Sequence, residues 1–412
     1  MGIDMIGYFL GGAEKVGSLG FVIETKKNKL LFEYGITPTK PPEYPLPAPK
    51  VDYVFVTHAH LDHSGMLPWL TTKYAPRIFG TQITLDLVDL LLRDSLKVMN
   101  IEGYTPPFDK TDIENLNPLY SSVSYHKKIY LDDMEIIPYS AGHIPGSTMY
   151  KIIMDDKTIL FTGDLQTLDT NLINGADIPQ ADVVVIESTY AGKEHPSRHE
   201  TEIRFLEKIE ETLERNGKVI IPAFAVSRTQ ELMMVLKKLE REYWVDGMSN
   251  VVNDIFAKYG SFLKDSHEFK MARKYAKKVK NNTDRKKAME NGLVIASGGM
   301  LEGGPVLNYI DKIRDDEKSS ILITGYQVEN TNGKMLLDTG YIDINGNKHK
   351  IFSEISTFDF SAHAGNSELL KFIENTKAQT VILCHGENRE IMFSQLSDKN
   401  VIAPKNGERF DF

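Results

Sequence analysis

One cysteine in 412 residues, Cys384, leaves no pair for an intrachain disulfide and no thiolate cage for a metal. Any metal must therefore be held by histidine and carboxylate side chains, and the chain reads as cytoplasmic. Long apolar runs are missing as well. None reaches the roughly 20 residues of a membrane span, the N-terminus carries no secretory signal pattern, and Met1-Gly2 lacks the Ser or Thr that a myristoylation signal places at position 6. No membrane partner is expected. Positive charge is in deficit, with 48 Lys+Arg against 57 Asp+Glu for a formal net charge of −9. A polyanion would be repelled on average, so any nucleic-acid contact has to be local. No internal repeat and no strand–Gly-x-Ser-x-Gly elbow for a serine nucleophile is present.

What is present is a set of short apolar runs, several of which stop at a chemically capable residue. Val54-Phe55-Val56-Thr57 stops at His58, Ile159-Leu160-Phe161-Thr162-Gly163 at Asp164, Val183-Val184-Val185-Ile186 at Glu187, and Val381-Ile382-Leu383-Cys384 at His385. Runs of this length fit strands covered on both faces, which gathers the terminal side chains at one edge of the sheets. Two amphipathic segments, 198–216 closed by Gly217 and 227–241, alternate with strand-like Val219-Ile220-Ile221 and Val294-Ile295-Ala296. The length exceeds one ordinary domain, and candidate site residues occur both before Ser188 and after Phe352. One α/β domain interrupted by another, 1–187 with 353–412 enclosing 188–352, is the expected organisation.

Thr57-His58-Ala59-His60-Leu61-Asp62-His63 packs three of the chain's 11 histidines and a carboxylate into a loop after a strand. A polar turn facing water is the bland alternative. Nitrogen and oxygen donors at such alternating positions suit zinc and can serve two ions. Further donors occur at His143 in Gly142-His143-Ile144-Pro145-Gly146-Ser147, at Asp164 in Thr162-Gly163-Asp164 and at His385 in Cys384-His385-Gly386-Glu387. Singly, each is better read as a hydrogen-bonded histidine or a capping aspartate. Together, in this order, they carry weight.

These motifs resemble the ordered metal motifs of metallo-β-lactamase-fold hydrolases. Glu187-Ser188-Thr189-Tyr190, Ile221-Pro222-Ala223-Phe224-Ala225-Val226, Asp246-Gly247-Met248 and Phe360-Ser361-Ala362-His363-Ala364 are similar to those of the β-CASP subgroup, the ribonucleases related to the cleavage and polyadenylation specificity factor and to RNase J. The resemblance spans essentially the whole chain. It implies a four-layered αββα fold with an inserted α/β β-CASP domain, and two Zn2+ per chain. His58, His60 and His143 would hold one ion, Asp62, His63 and His385 the other, and Asp164 would bridge them. Glu187 and His363 match a carboxylate–imidazole pair near the leaving group; by themselves they read as a capping Glu and a packed surface His. Asp62, Glu187 and His363 are the residues expected to take part in the chemistry.

The resemblance further implies hydrolysis of RNA phosphodiester bonds by a metal-bridging hydroxide, as endonuclease, 5′–3′ exonuclease or both. His385 favours RNA over DNA, since the DNA-processing members carry valine there. A DNA nuclease of the same subgroup and a catalytically silent RNA-processing subunit are the alternatives. Two positions depart from the family: Glu33 in Leu31-Phe32-Glu33-Tyr34-Gly35 stands where Asp is usual, and Gly365 where an acid is common. RNA is the expected partner, with homo-oligomerisation or membership of a processing complex left open. No extra RNA-binding domain is expected ahead of Gly11-Gly12. Substrate grip is expected from the inserted domain. Its Ser297-Gly298-Gly299-Met300 and Gly303-Gly304 turns can offer backbone N–H groups to phosphates, and residues 258–287 carry eleven Lys/Arg against three Asp/Glu. Ordinary loops and a solvated helix face are the bland readings of those two features.

Overall fold

The computed structural model describes residues 5–412, which form two compact units. The first comprises the chain up to Asp169, Gly175–Glu194 and Ala362–Phe412; the second comprises Thr170–Asn174 and His195–Ser361. Among the described residues, no helix is long and apolar enough to cross a membrane.

The first unit contains two seven-stranded sheets. Their inner faces meet in one apolar layer: Phe9, Phe21, Phe32 and Phe55 from one sheet against Tyr150, Ile152, Phe161 and Val185 from the other. Phe21 stacks on Phe161 at 5.6 Å between centroids, and Phe55 meets Tyr150 edge-on at 5.1 Å. A helix layer covers each outer face. Helix Gln82–Glu102, capped by the Thr81 side chain and ended by Gly103, buries Leu87, Val88, Leu91 and Leu92 along strands Arg77–Thr81 and Tyr120–Val123. Helix Asn366–Thr376 buries Leu369, Phe372 and Ile373 on Leu160, Val184, Ile186 and Leu383. The layering is αββα, as expected. Strand Val183–Glu187 is buried along its whole length, which is why it reads as an unbroken apolar run.

The second unit holds a six-stranded sheet, all of whose pairings are parallel. The helices expected over 198–216 and 227–241 are shorter, Arg198–Glu214 and Arg228–Leu236. The second begins late because Ser227 sits at φ +70°, outside helical space, and ends early because its last turn tightens into a 3-10 turn over Lys237–Leu239.

In the first unit, Glu24 accepts a hydrogen bond from Tyr8 (2.7 Å) and pairs with Lys29 (2.9 Å) and Arg409, tying the last strand to the first sheet. Partial burial works against its ionisation, but Lys29, Tyr8 and Arg409 outweigh it and hold the carboxyl at about 2, below an ordinary 4.5. A carboxyl lowered in the folded state stabilises that state above its unfolded pKa, and the contribution is lost as pH falls from 4.5 toward 2. Glu24→Gln should therefore flatten the fall in melting temperature of metal-free protein across that window. Identical acid slopes in the two proteins would place the acid sensitivity elsewhere.

Candidate metal centre

All nine candidate residues converge at one end of the two sheets of the first unit, because each follows or ends a strand or starts a helix there. His58 leaves strand Tyr53–Phe55, and the short helix Leu61–Ser64 turns Asp62 and His63 back toward it. His143 sits in the turn between strands Met134–Ser140 and Thr148–Met154. Gly142 makes that turn possible: it has φ +68°, and a Cβ there would lie 2.2 Å from the Gln166 carbonyl oxygen. Asp164 and His385 follow strands Lys157–Phe161 and Thr380–Cys384, Glu187 ends Val183–Glu187, and His363 precedes helix Asn366–Thr376.

The ligand atoms of His58, His60, His143 and Asp164 lie within 4.8 Å of one another, and so do those of Asp62, His63 and His385. His60 Nδ1 is 3.1 Å from His58 Nε2 and 3.3 Å from His143 Nε2, so three ring nitrogens aim at one point. Asp164 spans the groups. Its Oδ2 is 3.5 Å from His58 Nε2 and 3.3 Å from His63 Nε2, and its Oδ1 is 3.7 Å from His385 Nε2. Glu187, Asp164 and His363 make a further cluster, with His363 Nδ1 at 3.0 and 3.1 Å from the two Glu187 oxygens and Nε2 at 3.8 Å from Asp164.

Burial, reinforced by neighbouring imidazoles, holds His58 and His143 well below the ordinary imidazole range, and burial also lowers His60 and His385. Neutral imidazoles are what a metal requires. Burial also opposes charge on Asp164, yet His63, His385 and His363 outweigh it and keep the carboxylate ionised. For His63 the Asp164 and Asp62 carboxylates overcome burial and hold the ring well above its usual value. For His363, Glu187 and Asp164 overcome burial and raise it to about 9.

The donors fit divalent cations by a test internal to the fold. His63 Nε2, His385 Nε2 and Asp164 Oδ1 are buried with no hydrogen-bond partner, a state that buried polar atoms rarely keep unless an ion or water satisfies them. The cluster is also held against relaxation. His385 takes φ +52°, costly for a non-glycine residue. Its N–H donates to the Gly12 carbonyl (2.8 Å), and its carbonyl accepts from Thr189 Oγ1 (3.1 Å).

Hydrogen bonds behind the donors orient them, and of these supports only Glu33 stands at a position singled out in the sequence. His143 Nδ1 donates to the Ala362 carbonyl (2.8 Å), which turns Nε2 inward, and Thr57 Oγ1 bonds His58 Nδ1 (3.0 Å). Glu33, fully buried at φ +63°, accepts from the Thr57 N–H (2.9 Å) and lies 3.8 Å from His63 Nδ1. It braces the start of the histidine loop from behind. Burial raises its pKa, offset in part by His63.

In the second unit, the cationic stretch 258–287 is less bare than its composition suggests. Arg273 and Lys278 pair with Asp254, Lys277 with Glu242 (2.7 Å), and Arg285 with buried Asp246 (2.8 Å). The partners lie outside the stretch, so a local charge count cannot see them. In the glycine turns, the Gly298 N–H is already spent on the Ala223 carbonyl (3.2 Å).

Three family models match. They describe a metallo-β-lactamase superfamily domain over residues 23–191, a β-CASP domain over 229–336 and a Zn-dependent metallo-hydrolase RNA specificity domain over 348–398. The chain is 36% identical to "Probable RNase MJ4" of Methanocaldococcus jannaschii, over 97% of this chain and 98% of that one. It is 33% identical to "RNase aCSPSF2" of Saccharolobus solfataricus, over 98% and 86%. It is 28% identical to "Cleavage and polyadenylation specificity factor subunit 3" of Dictyostelium discoideum, over 96% and 56%. Among solved structures, a protein of unknown function from Enterococcus faecalis V583 shares the fold at a TM-score of 0.65 and 14% identity, covering 99% of this chain and 100% of that one. With these strand-end donors and near full-length similarity to the first of these relatives, the chain belongs to the β-CASP branch of the metallo-β-lactamase superfamily.

Proposed function

We propose that this chain is a zinc-dependent ribonuclease that hydrolyses RNA phosphodiester bonds. The observation that carries the reading is Asp164 standing between two imidazole-rich donor groups with the His363–Glu187 pair at its side. His58, His60 and His143 would hold one ion, Asp62, His63 and His385 the other, and Asp164 both. When bound, two such ions lower the pKa of water and neutralise charge on phosphate oxygens. The protein's own contribution is orientation and proton delivery. His363 presents Nε2 toward the centre while Nδ1 bonds Glu187, so it can give a proton to the departing ribose oxygen. Glu187 also accepts from the Leu165 N–H (2.6 Å), which fixes it beneath the ring.

RNA as the polymer rests on the names of the relatives and on His385. Incubation of the zinc-loaded chain with matched single-stranded RNA and DNA tests it. RNA should be cut faster, and preferential DNA cleavage would reverse the assignment. RNA labelled at either end, offered with 5′-triphosphate, with 5′-monophosphate or as a circle, then separates internal cutting from stepwise 5′–3′ removal. A full complement of zinc without cleavage of any nucleic acid would leave a silent RNA-processing subunit as the better account.

A further inference from the structure

Three of the four inner strands of the second unit's six-stranded sheet, Leu293–Ser297, Val219–Ala223 and Ser320–Ile323, are parallel neighbours, so the residues that follow them emerge at one sheet edge. In open parallel sheets this carboxyl edge is where ligands bind. Here it carries two aromatic side chains that the core does not absorb, Phe224 at 38% exposure and Tyr326 at 59%. The Phe224 ring is backed by bare main chain: a Cβ on Gly299 would lie 3.1 Å from its Cδ2, and one on Gly325 3.5 Å from its Cε2. Buried Gln327 ties those two glycine turns together, its amide donating to the Gly299 carbonyl (3.0 Å) and the Gly325 carbonyl (3.1 Å). The Arg228 guanidinium, which donates to the Thr324 carbonyl, lies 3.2 Å from where a Gly325 Cβ would be.

The segment linking Phe224 to Arg228 is strained. Ser227 has φ +70° and ψ −54°, and the Arg228 N–H donates to the Val226 carbonyl at 2.9 Å. This is the rarer, high-energy γ-turn, kept by a non-glycine residue only when its surroundings hold it. A fixed ring face, a second exposed ring and a guanidinium on one edge match the chemistry of an unpaired nucleobase with its phosphate.

We propose that Phe224, with Tyr326 and Arg228, forms a stacking subsite for a base of single-stranded RNA. The identity of the polymer rests on the ribonuclease reading above; the subsite itself rests on this edge alone.

The test is binding of a short fluorescein-labelled single-stranded RNA with phosphorothioate linkages, which resist cleavage, to the zinc-loaded full chain across a salt series. Phe224→Leu removes the ring and keeps apolar bulk. It should weaken binding about tenfold, the worth of one stacked base, at an unchanged salt slope. Phe224→Trp should restore affinity, with indole emission quenched by the RNA. Tyr326→Ser, at an exposed position, decides the matter if Phe224→Leu proves unstable, and should also weaken binding. Equal affinities for the wild type and these variants overturn the subsite, as does an equal loss on duplex RNA, whose bases offer no open face. Cleavage by the wild type is scored separately. Ring-dependent binding without cleavage upholds the subsite and sinks the ribonuclease reading, whereas cleavage with ring-independent binding does the reverse. Ring-dependent binding that is tighter for DNA overturns the assignment of the polymer.

Discussion

Replacing Asp164 by Ala is expected to abolish RNA cleavage and to strip zinc from about two ions per chain to about one or fewer. The expectation follows from where the carboxylate stands. One oxygen lies 3.3 to 3.5 Å from His63 and His58, and the other lies 3.7 Å from His385, so the carboxylate reaches both donor groups. His60→Ala should be nearly as damaging, because His60 Nδ1 lies within 3.3 Å of both His58 Nε2 and His143 Nε2. The fold should survive both changes, since neither residue belongs to the apolar layers that join the sheets and helices. Elemental analysis beside digestion of labelled RNA checks this. An Asp164→Ala protein with full zinc and a normal rate would remove the basis for the site.

His363→Ala should behave differently. Zinc content is expected to be unchanged while RNA cleavage slows by about a hundredfold to ten-thousandfold, the usual cost of losing a general acid. The ring bonds Glu187 through Nδ1, and its Nε2 lies 3.8 Å from Asp164, which suits the proposed role of proton donor. A nitrophenyl phosphodiester, whose leaving group departs as a stable anion, should lose far less activity than RNA in the same variant. Glu187→Gln should reproduce that selective defect if it orients the ring. Equal loss on both substrates, or zinc missing from His363→Ala, would make His363 a ligand or a packing residue instead.

Several of the candidate residues are legible in the sequence because strands buried on both faces appear as apolar runs, and a chemically capable residue at or within a few positions of the end of each run lies at the sheet edge. His58, Asp164, Glu187 and His385 all announce themselves this way. The forces that aim them do not. The Ala362 carbonyl that turns His143 has no residue type to betray it, and the brace supplied by Glu33 depends on a backbone conformation that no periodicity encodes. The helix expected from position 227 starts one residue late because Ser227 makes a γ-turn, a local strain that propensity would not choose. The charge on 258–287 is likewise misjudged from a window alone, since Asp246, Glu242 and Asp254 reach it from elsewhere in the chain.

The interruption of the first unit also governs the order in which the chain can be built. Strand Thr380–Cys384 completes the second sheet by pairing with both Val183–Glu187 and Asn400–Ile402, and Phe410–Asp411 closes the first sheet on Ile6–Gly11. Both arrive only after residues 195–361 have been translated. At ribosomal speed that is a delay of roughly 10–30 s, during which Val183–Glu187, paired on one edge with Lys157–Phe161, has no partner strand on its other edge. An unpaired strand edge, apolar from Val183 to Ile186, invites association with other chains. The second unit can close its own sheet within that interval, so the later-translated body finishes before the earlier one, and the nascent first unit is the part that most needs shelter on the ribosome.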